Sequence, residues 1–351
     1  MSTNKDKKTV RSKPFSSWQI WIPVLLGLTV VGYMFWKDFN PEVWASIRLS
    51  EYSVFAIIAG VLLMIGRDVG MSWRFRIITD KELSWLQSLK VCMLCEFTSC
   101  ITPSAVGGSS LAVVFLNREG INMGRSTALM MTTLFLDELF FVVSCPIIFL
   151  LTPEAALFGP VSGFSVGMKY TFWIVYIVVF LWTVLLFVGL LVKPHWVQHL
   201  LLFVFRLPLL RRWKLHIGEL GKNLVCSSAE LKSKSLSFWI KAFGATAMSW
   251  TSRYLVVNAL FLAFVAHADQ WLVFARQLVV WLVLMISPTP GGSGLSEYIF
   301  TEYYSDLVPF AGVALVIAFF WRIISYYVYL IIGAFIVPGW LKDWNKNVPS
   351  V

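Results

Sequence analysis

The stretch Ser287–Glu297, with the sequence SPTPGGSGLSE, constrains the fold most, because two prolines and three glycines interrupt a strongly apolar part of the chain. Proline lacks a backbone N–H and glycine carries an entropic cost, so a helix does not run comfortably through such a stretch. Apolar runs at 271–286 and 307–337 flank it and place the break at membrane depth. Lipid cannot satisfy the polar groups of a broken backbone, so the break is buried in protein or lines a wet cavity. Transporters bind their substrates at broken segments of this kind.

A second break, with the sequence ITPSAVGGSS, lies upstream at residues 101–110. Both breaks have a proline, then a Gly-Gly pair, then a serine, all within apolar sequence. We therefore predict two re-entrant helical hairpins, at about 85–119 and 271–304, each turning at its Pro/Gly motif. The motif residues are Pro103, Gly107, Gly108, Ser109, Pro288, Pro290, Gly291, Gly292 and Gly294.

The composition indicates an all-α polytopic membrane protein. Of 351 residues, 58% are hydrophobic and only 14% are charged, whereas about 25% of the residues in a soluble domain are charged. We expect a disordered basic tail at 1–17, one transmembrane domain at 18–341 and a short tail at 342–351. The net charge of +10 indicates topology and contact with anionic lipid, not nucleic-acid binding.

Six apolar runs are long enough to cross a membrane, since about 20 residues are needed. They are Trp18–Trp36, Tyr52–Ser72, Arg125–Leu151, Lys169–Val192, Ser237–Ala266 and Leu307–Val337.

The distribution of basic residues predicts the topology. With both termini in the cytoplasm and both hairpins re-entrant, most basic residues, Arg74 among them, fall in cytoplasmic pieces, above all the loop 193–236. Only Lys37, Arg48 and Lys169 fall outside, as the positive-inside rule expects. The first hairpin then enters from the cytoplasm and the second from outside, which predicts an inverted repeat.

The spacing of charged residues also supports a repeat. Asp68 precedes Pro103 by as many residues as Arg253 precedes Pro288. Asp137 and Arg322 follow the same two prolines at equal distances.

The string Pro288–Glu297, PTPGGSGLSE, resembles the flippase-like family named for the transmembrane region of lysylphosphatidylglycerol synthase. The resemblance implies a polytopic protein that moves lipids between leaflets, here as a membrane domain without the synthase domain. Members often carry an acidic residue after the first Gly pair, where this chain has Ser109 and Ser110.

Charged residues inside predicted spans are the candidate substrate-binding residues. Such a charge costs at least about 2.5–3.5 kcal/mol near the bilayer centre, so it faces a partner or a wet cavity. Ion pairs that lock helices together would explain any single residue, and a polar cavity better explains the set. The set is Arg67, Asp68, Glu96, Asp137, Glu138, Arg253, Arg276 and Arg322, with Glu297 in the first turn after the break.

Glu297 has two interpretations, which remain open at this point. Its carboxylate complements the dipole of the helix that follows and caps it, or it gates the cavity and takes a proton. Exposed N–H groups at this helix start would favour an anion such as phosphate.

The sequence therefore predicts a lipid translocase of the cell (inner) membrane that takes a phospholipid or a phosphate-linked glycolipid. Arginine holds phosphate by a planar fork and stays charged when buried. The alternatives are a lipid-modifying transferase that uses Asp137 and Glu138, and a membrane scaffold. No Walker-type loop is present, and we expect no enzyme activity, cofactor or metal. The oligomeric state is left open.

Overall fold

The computed structural model describes residues 51–102, 106–193, 231–265, 267–309, 311–333 and 335–337, together with Thr29 and Ser228. The predicted terminal tails, the first predicted span 18–36 and most of the loop 193–236 lie outside these residues. The described part is helical and contains no β-strand. Its helices are α1 Glu51–Ile78, α2 Trp85–Ile101, α3 Val106–Arg118, α4 Met123–Leu151, α5 Glu154–Phe158, α6 Gly163–Phe187, α7 Leu236–Phe264, α8 Gln270–Leu284, α9 Leu295–Tyr303 and α10 Ala311–Arg322.

Two of these helices continue into π-helical turns. Val188–Val192 extends α6, and Ile323–Tyr327 extends α10 towards residue 337. A 3-10 turn, Ser305–Leu307, separates α9 from α10. The last helix therefore begins after Pro309 and not at Leu307 as the apolar run predicted, because proline disfavours the helical conformation of the residue before it.

Polar side chains start most of the long helices. Ser84 and Gln87 form a reciprocal capping box at α2, in which the Ser84 hydroxyl accepts a hydrogen bond from the Gln87 N–H. Asn122 caps α4, Ser235 caps α7 and Asp269 caps α8 in the same way. Each cap satisfies an N–H group that the first helical turn leaves without a partner.

Among the described residues, four helices are long and apolar enough to cross a membrane: Glu51–Ile78, Met123–Leu151, Gly163–Val192 and Gly312–Val337. They correspond to four of the six predicted spans. The fifth, Ser237–Ala266, forms the 29-residue helix α7, whose apolar sequence is interrupted by Lys241, Arg253 and several serines and threonines. Helices α2, α3, α8 and α9 have between 9 and 17 residues, which is short for crossing alone.

Helices α1 and α7 cross closely and run antiparallel. A Cβ atom at Gly60 would lie 3.7 Å from the Cβ of Ala259, and one at Gly70 would lie 3.0 Å from the backbone nitrogen of Ser249. The Ser249 hydroxyl donates to the carbonyl of Arg67 at 3.0 Å. Small residues allow two backbones to approach in this way. This pair, which we call the central helix pair, makes the most extensive contact between helices in the described part of the chain.

The two groups α1–α4 and α7–α10 pack in the same order. In each group every helix contacts the next one along the chain, and α6 packs against both α4 and α8. Each pair of short helices turns back on itself: Lys90 of α2 binds Glu119 after α3 at 3.2 Å, and the Tyr304 hydroxyl after α9 donates to the carbonyl of Val273 in α8 at 3.1 Å.

The tips of the two hairpins meet inside the protein. The N–H of Gly291 donates to the carbonyl of Thr102 at 3.2 Å. The Tyr326 hydroxyl donates to the carbonyl of Cys100 at 3.3 Å and accepts a hydrogen bond from the Ser293 hydroxyl at 3.1 Å. One tyrosine therefore joins both tips to α10.

Replacing Gly70 with alanine tests the central crossing. The new Cβ would lie 3.0 Å from the Ser249 nitrogen and 3.1 Å from the Ala245 carbonyl, so the α7 backbone must move. We expect a loss of about 1–3 kcal/mol in the free energy of unfolding, typical of overpacking. The measurement is the midpoint of thermal unfolding in detergent, followed by tryptophan fluorescence.

Gly66→Ala is the matched control, because its nearest neighbour would be the Ser252 hydroxyl at 3.6 Å. It should keep or slightly raise the midpoint, since alanine favours a helix over glycine. Equal midpoints for the two variants would contradict the close crossing at Gly70.

Candidate functional site

A cavity of about 260 Å³ lies where the two hairpin tips meet the central helix pair. Helices α1, α2, α3, α4, α7, α8 and α10 all contribute to its walls, with Gly291 and Gly292 of the second break. Its charged lining residues are Arg67, Arg74, Glu96, Asp137, Glu138, Arg253 and Arg322. Six of the nine predicted substrate-binding residues are among them.

A chain of ion pairs joins three helices on one side of the cavity. Arg67 binds Glu96 and also Asp68, its neighbour in sequence, at 2.8 Å. The second oxygen of Glu96 accepts a hydrogen bond from Arg253 at 3.2 Å. Asp68 lies behind the wall, where the Tyr329 hydroxyl donates to it at 2.8 Å. The network ties α1 to α2, α7 and the helical segment that follows the π-helical turn after α10.

A second network contains Arg74, which is fully buried. Arg74 binds Asp137 of α4 and donates to the Thr246 hydroxyl at 3.3 Å. The indole N–H of Trp250 donates to the same carboxylate at 2.7 Å. Asp137 is therefore held from α1 and α7 together.

Arg322 fixes the second break. Its Nε donates to Glu297 at 2.9 Å, and its Nη2 donates to the carbonyl of Gly291 at 3.1 Å. The other oxygen of Glu297 accepts from the N–H of Gly294 at 2.8 Å and from the Ser296 hydroxyl at 2.7 Å. Glu297 thus caps α9 and also neutralises Arg322, and it lies behind the cavity wall.

Four consecutive N–H groups of the second break already have protein acceptors in this conformation. Gly291 donates to Thr102, Gly292 to Thr289, and Ser293 to Pro290. The N–H of Gly294 is held by Glu297 at 2.8 Å. The expectation of an anion site formed by exposed N–H groups does not hold for these four groups, because protein acceptors already occupy them.

Arg276 does not share the cavity, which corrects its predicted placement. It binds Asp306 at 2.5 and 2.8 Å, and donates to the carbonyls of Ala156 at 2.8 Å and Tyr303 at 2.8 Å. The Tyr303 hydroxyl donates in turn to the carbonyl of Leu157. Arg276 therefore clamps α5 to the base of the second hairpin, far along α8 from the break.

Arg74 is the functional candidate that the sequence reasoning missed. The apolar run ends at Ser72, so Arg74 was assigned to a cytoplasmic piece, whereas α1 continues to Ile78. The sequence did contain a signal: Arg67 and Arg74 are two helical turns apart and lie on one face. Trp250 and Trp281 were also missed. The Arg253 guanidinium lies 4.3 Å from the ring centroid of Trp281.

Much of the remaining lining is apolar and adaptable. Met71, Met130 and Met285 face the cavity with Leu134 and Phe141. Methionine side chains are flexible and fit irregular apolar shapes. The cavity therefore offers charged and apolar surfaces side by side, which suits an amphipathic ligand.

The first break is described less fully. Pro103 lies outside the described residues, and of Gly107, Gly108 and Ser109 only the helical backbone of α3 is described. Pro288 and Pro290 precede the turn that opens α9. Among the described residues no group of three His, Cys, Asp or Glu side chains is placed to hold a metal ion.

These features define a class: a helical membrane protein in which two hairpins of short helices meet at a charged cavity. The family model described as lysylphosphatidylglycerol synthase TM region matches residues 20–333, so the chain belongs to that family. The chain is similar to a UPF0104 membrane protein of Archaeoglobus fulgidus, with 21% identity over 316 residues that cover 89% of this chain and 94% of the relative. No solved structure matches the chain.

The family match confirms the resemblance predicted from the PTPGGSGLSE string. With the apolar helices, it makes the chain an integral membrane protein of a family related to lipid metabolism.

Gly291 should tolerate substitution less well than Gly292. Both have positive φ, +56° and +72°, which costs an L-residue about 1–2 kcal/mol. A Cβ at Gly291 would also lie 2.2 Å from the Tyr326 ring, whereas the nearest atom to a Cβ at Gly292 is 3.7 Å away. We expect Gly291→Ala to unfold at a clearly lower temperature than Gly292→Ala in detergent. Equal unfolding temperatures would show that the Tyr326 ring moves aside freely.

Proposed function

We propose that the protein is a lipid translocase that carries a phosphate-bearing lipid headgroup through the central cavity while the tails stay in the bilayer. The observation that carries the proposal is the pair of buried guanidinium atoms without a partner in the cavity walls. Arg74 Nε and Arg253 Nε are shielded from solvent and have no hydrogen-bond acceptor. Buried donors are rarely left without an acceptor. Both atoms belong to residues that line the cavity.

Phosphate is the ligand chemistry that these groups favour. A guanidinium donates charge-assisted hydrogen bonds to phosphate oxygens, and it stays charged in a buried site. Arg253 lies partly open to the cavity, with 13% of its side chain exposed, and stacks on Trp281. A phosphate bound there would satisfy donors that the protein leaves open.

The paired charges would replace the water that a headgroup loses. Moving polar groups through hydrocarbon costs several kcal/mol for each group without a partner. Arg67, Arg74, Arg253 and Arg322 are held in place by carboxylates, so the cavity stays polar without large rearrangement. The methionine and phenylalanine lining would accommodate the glycerol region of a lipid.

The packing supports an inverted repeat with two re-entrant hairpins. Helices α1 and α7 hold corresponding positions in their two groups and run antiparallel, as inversion requires. The hairpin helices are short, fold back on themselves and touch at their tips. In the proposed topology, the first hairpin opens to the cytoplasm and the second to the outside.

In the same proposed topology, the cavity lies nearer to one side of the membrane. It lies towards the cytoplasmic ends of α1 and α4, while the Arg276 clamp closes the outer ends of α8 and α9 around α5. Rocking of one repeat against the other would break this clamp and open the cavity outward.

We propose no catalytic role for Asp137 and Glu138. Asp137 is held by Arg74 and Trp250, so it is a poor free base for a transferase.

Cysteine labelling tests the topology. In a cysteine-free protein, single cysteines at exposed Glu82 and Asn117 should react with a membrane-impermeant maleimide from one side. Single cysteines at exposed His267 and Ser305 should react from the other side. The physical reason is that each pair marks the open end of one hairpin. Labelling of Glu82 and Asn117 from opposite faces would contradict the re-entrant first hairpin.

Proteoliposomes test the transport. Acyl-labelled fluorescent phosphatidylglycerol and phosphatidylethanolamine should become accessible to dithionite from the inner leaflet in vesicles that contain the protein. Labelled glucosylceramide, which has no phosphate, should stay protected. Arg253→Gln should slow phospholipid movement about tenfold or more, since a hydrogen bond to a charged group contributes about 1.5–3 kcal/mol.

Arg118→Gln is the control, because Arg118 ends α3 outside the cavity. It should move phospholipid like the parent. Failure of the parent to move either phospholipid would reject the proposal, and movement of all three lipids at one rate would reject the role of phosphate.

A further inference from the structure

Glu138 differs from the other carboxylates at the cavity. Asp68, Glu96, Asp137 and Glu297 each bind an arginine. Glu138 lines the cavity together with Glu96 and Asp137, yet its Oε2 is buried and has no hydrogen-bond partner. Neither the ion-pair networks nor phosphate recognition uses it.

The groups that face Glu138 leave it without a cation of its own. Asp137 is its neighbour on α4. The arginines of the cavity walls are Arg67 and Arg74 from α1, Arg253 from α7 and Arg322 from α10, each bound to another carboxylate. The remaining titratable groups are Cys92, Cys95, Cys100 and Glu96 from α2, Tyr254 from α7 and Tyr326 after α10.

Tyr254 is a second buried group near α4 that lacks a hydrogen-bond partner. It is fully buried, its ring packs against Phe140 of α4 with the ring centroids 6.3 Å apart, and its hydroxyl also lacks a hydrogen-bond partner. A buried acceptor and a buried hydroxyl without partners indicate a place for a proton or a water molecule.

The charges then balance only when Glu138 carries a proton. Four arginines lie opposite four bound carboxylates, and an ionised Glu138 would add one uncompensated negative charge. Glu138 is half-buried and its Oε2 is shielded from solvent, so an unpaired charge there is unfavourable and a proton relieves it. A phosphate headgroup brings further negative charge and therefore favours the protonated carboxyl more strongly. By linkage, the proton favours the headgroup equally.

We propose that Glu138 carries a proton that moves together with the lipid, which makes the protein a proton–lipid symporter. This inference rests on the proposed lipid transport. On one side a proton from water binds Oε2 and forms an O–H bond. On the other side that bond breaks and the proton returns to water with the carboxylate restored. No other bond changes, and the proton gradient supplies the energy.

Asp137 and Glu297 do not fit this role. Asp137 is held by Arg74 and Trp250, and Glu297 is fully buried with Arg322, Gly294 and Ser296 as partners. A proton on either would leave an arginine without its counter-ion. We therefore assign the proton-binding role, which the sequence suggested for Glu297, to Glu138.

The experiment uses phosphatidylcholine vesicles that contain the full-length protein and a trace of acyl-labelled phosphatidylglycerol. Dithionite reports the fraction of probe in each leaflet, with and without a gradient of one pH unit, and protein-free vesicles give the background. A gradient of one unit drives up to about a tenfold ratio between leaflets for one proton per lipid. The probe should accumulate in the leaflet on the alkaline side, and an internal pH dye should report proton movement that depends on the probe.

Glu138→Gln keeps the shape of the side chain but cannot release a proton, so its leaflet ratio should not respond to the gradient. Its binding of glycerol 3-phosphate should also lose the tightening at acidic pH that the parent shows. Glu302→Gln removes an exposed carboxylate outside the cavity and should behave like the parent.

Each outcome decides between the two proposals. A parent that moves the probe equally with and without the gradient overturns the proton coupling and leaves lipid transport standing. A parent that moves no phospholipid at any pH rejects the transport itself. Accumulation that persists in Glu138→Gln overturns the role of Glu138. If Glu138→Gln moves no lipid, the variant Glu138→Asp is measured instead. Accumulation of the probe with an altered pH dependence supports the proposal. Accumulation with the parent's pH dependence contradicts it.

Discussion

A broken backbone inside a helical membrane protein needs hydrogen-bond partners from the protein or from a wet cavity, and the contacts between the two hairpin tips meet this requirement. The second break meets it through the first: Gly291 donates to the carbonyl of Thr102. Arg322 satisfies the carbonyl of Gly291, Glu297 satisfies the N–H of Gly294, and Tyr326 joins both tips. The helices that surround the tips are placed where they can supply these partners, and the cavity lies between them.

The charged side chains inside the protein also need partners. A charged side chain in a membrane costs several kcal/mol unless it is paired, and removing one partner of a buried pair costs about 3–5 kcal/mol. The pairs here join different helices, so each charge also specifies which helices are neighbours. The few polar atoms left without partners, such as Arg253 Nε and Glu138 Oε2, are therefore informative. Both belong to residues that line one cavity.

The sequence predicted the features that depend on local chemistry. Proline and glycine marked the second break, apolar length marked four of the helices, and the charged residues within them marked most of the cavity. Features that depend on tertiary contacts were not predictable. Arg276 and Arg322 both lie in apolar sequence near the second break. Asp306 and two carbonyls nevertheless hold Arg276 at the clamp between α5 and the second hairpin, away from the cavity. Arg74 was missed because hydropathy falls before α1 ends. The two interpretations of Glu297 both assumed a single role, whereas it caps a helix and neutralises Arg322.

The meeting of the hairpin tips has a consequence for biosynthesis. The ribosome makes the carbonyl of Thr102 long before it makes its donor Gly291, and at about 5–20 residues per second the delay lasts many seconds. During that time the first tip lacks its contacts with Gly291 and Tyr326, and Glu96 lacks its ion pair with Arg253. All three partners belong to the second half. The nascent first half is therefore incomplete in lipid. A membrane chaperone or a wet insertion channel would have to shelter it until the second half arrives.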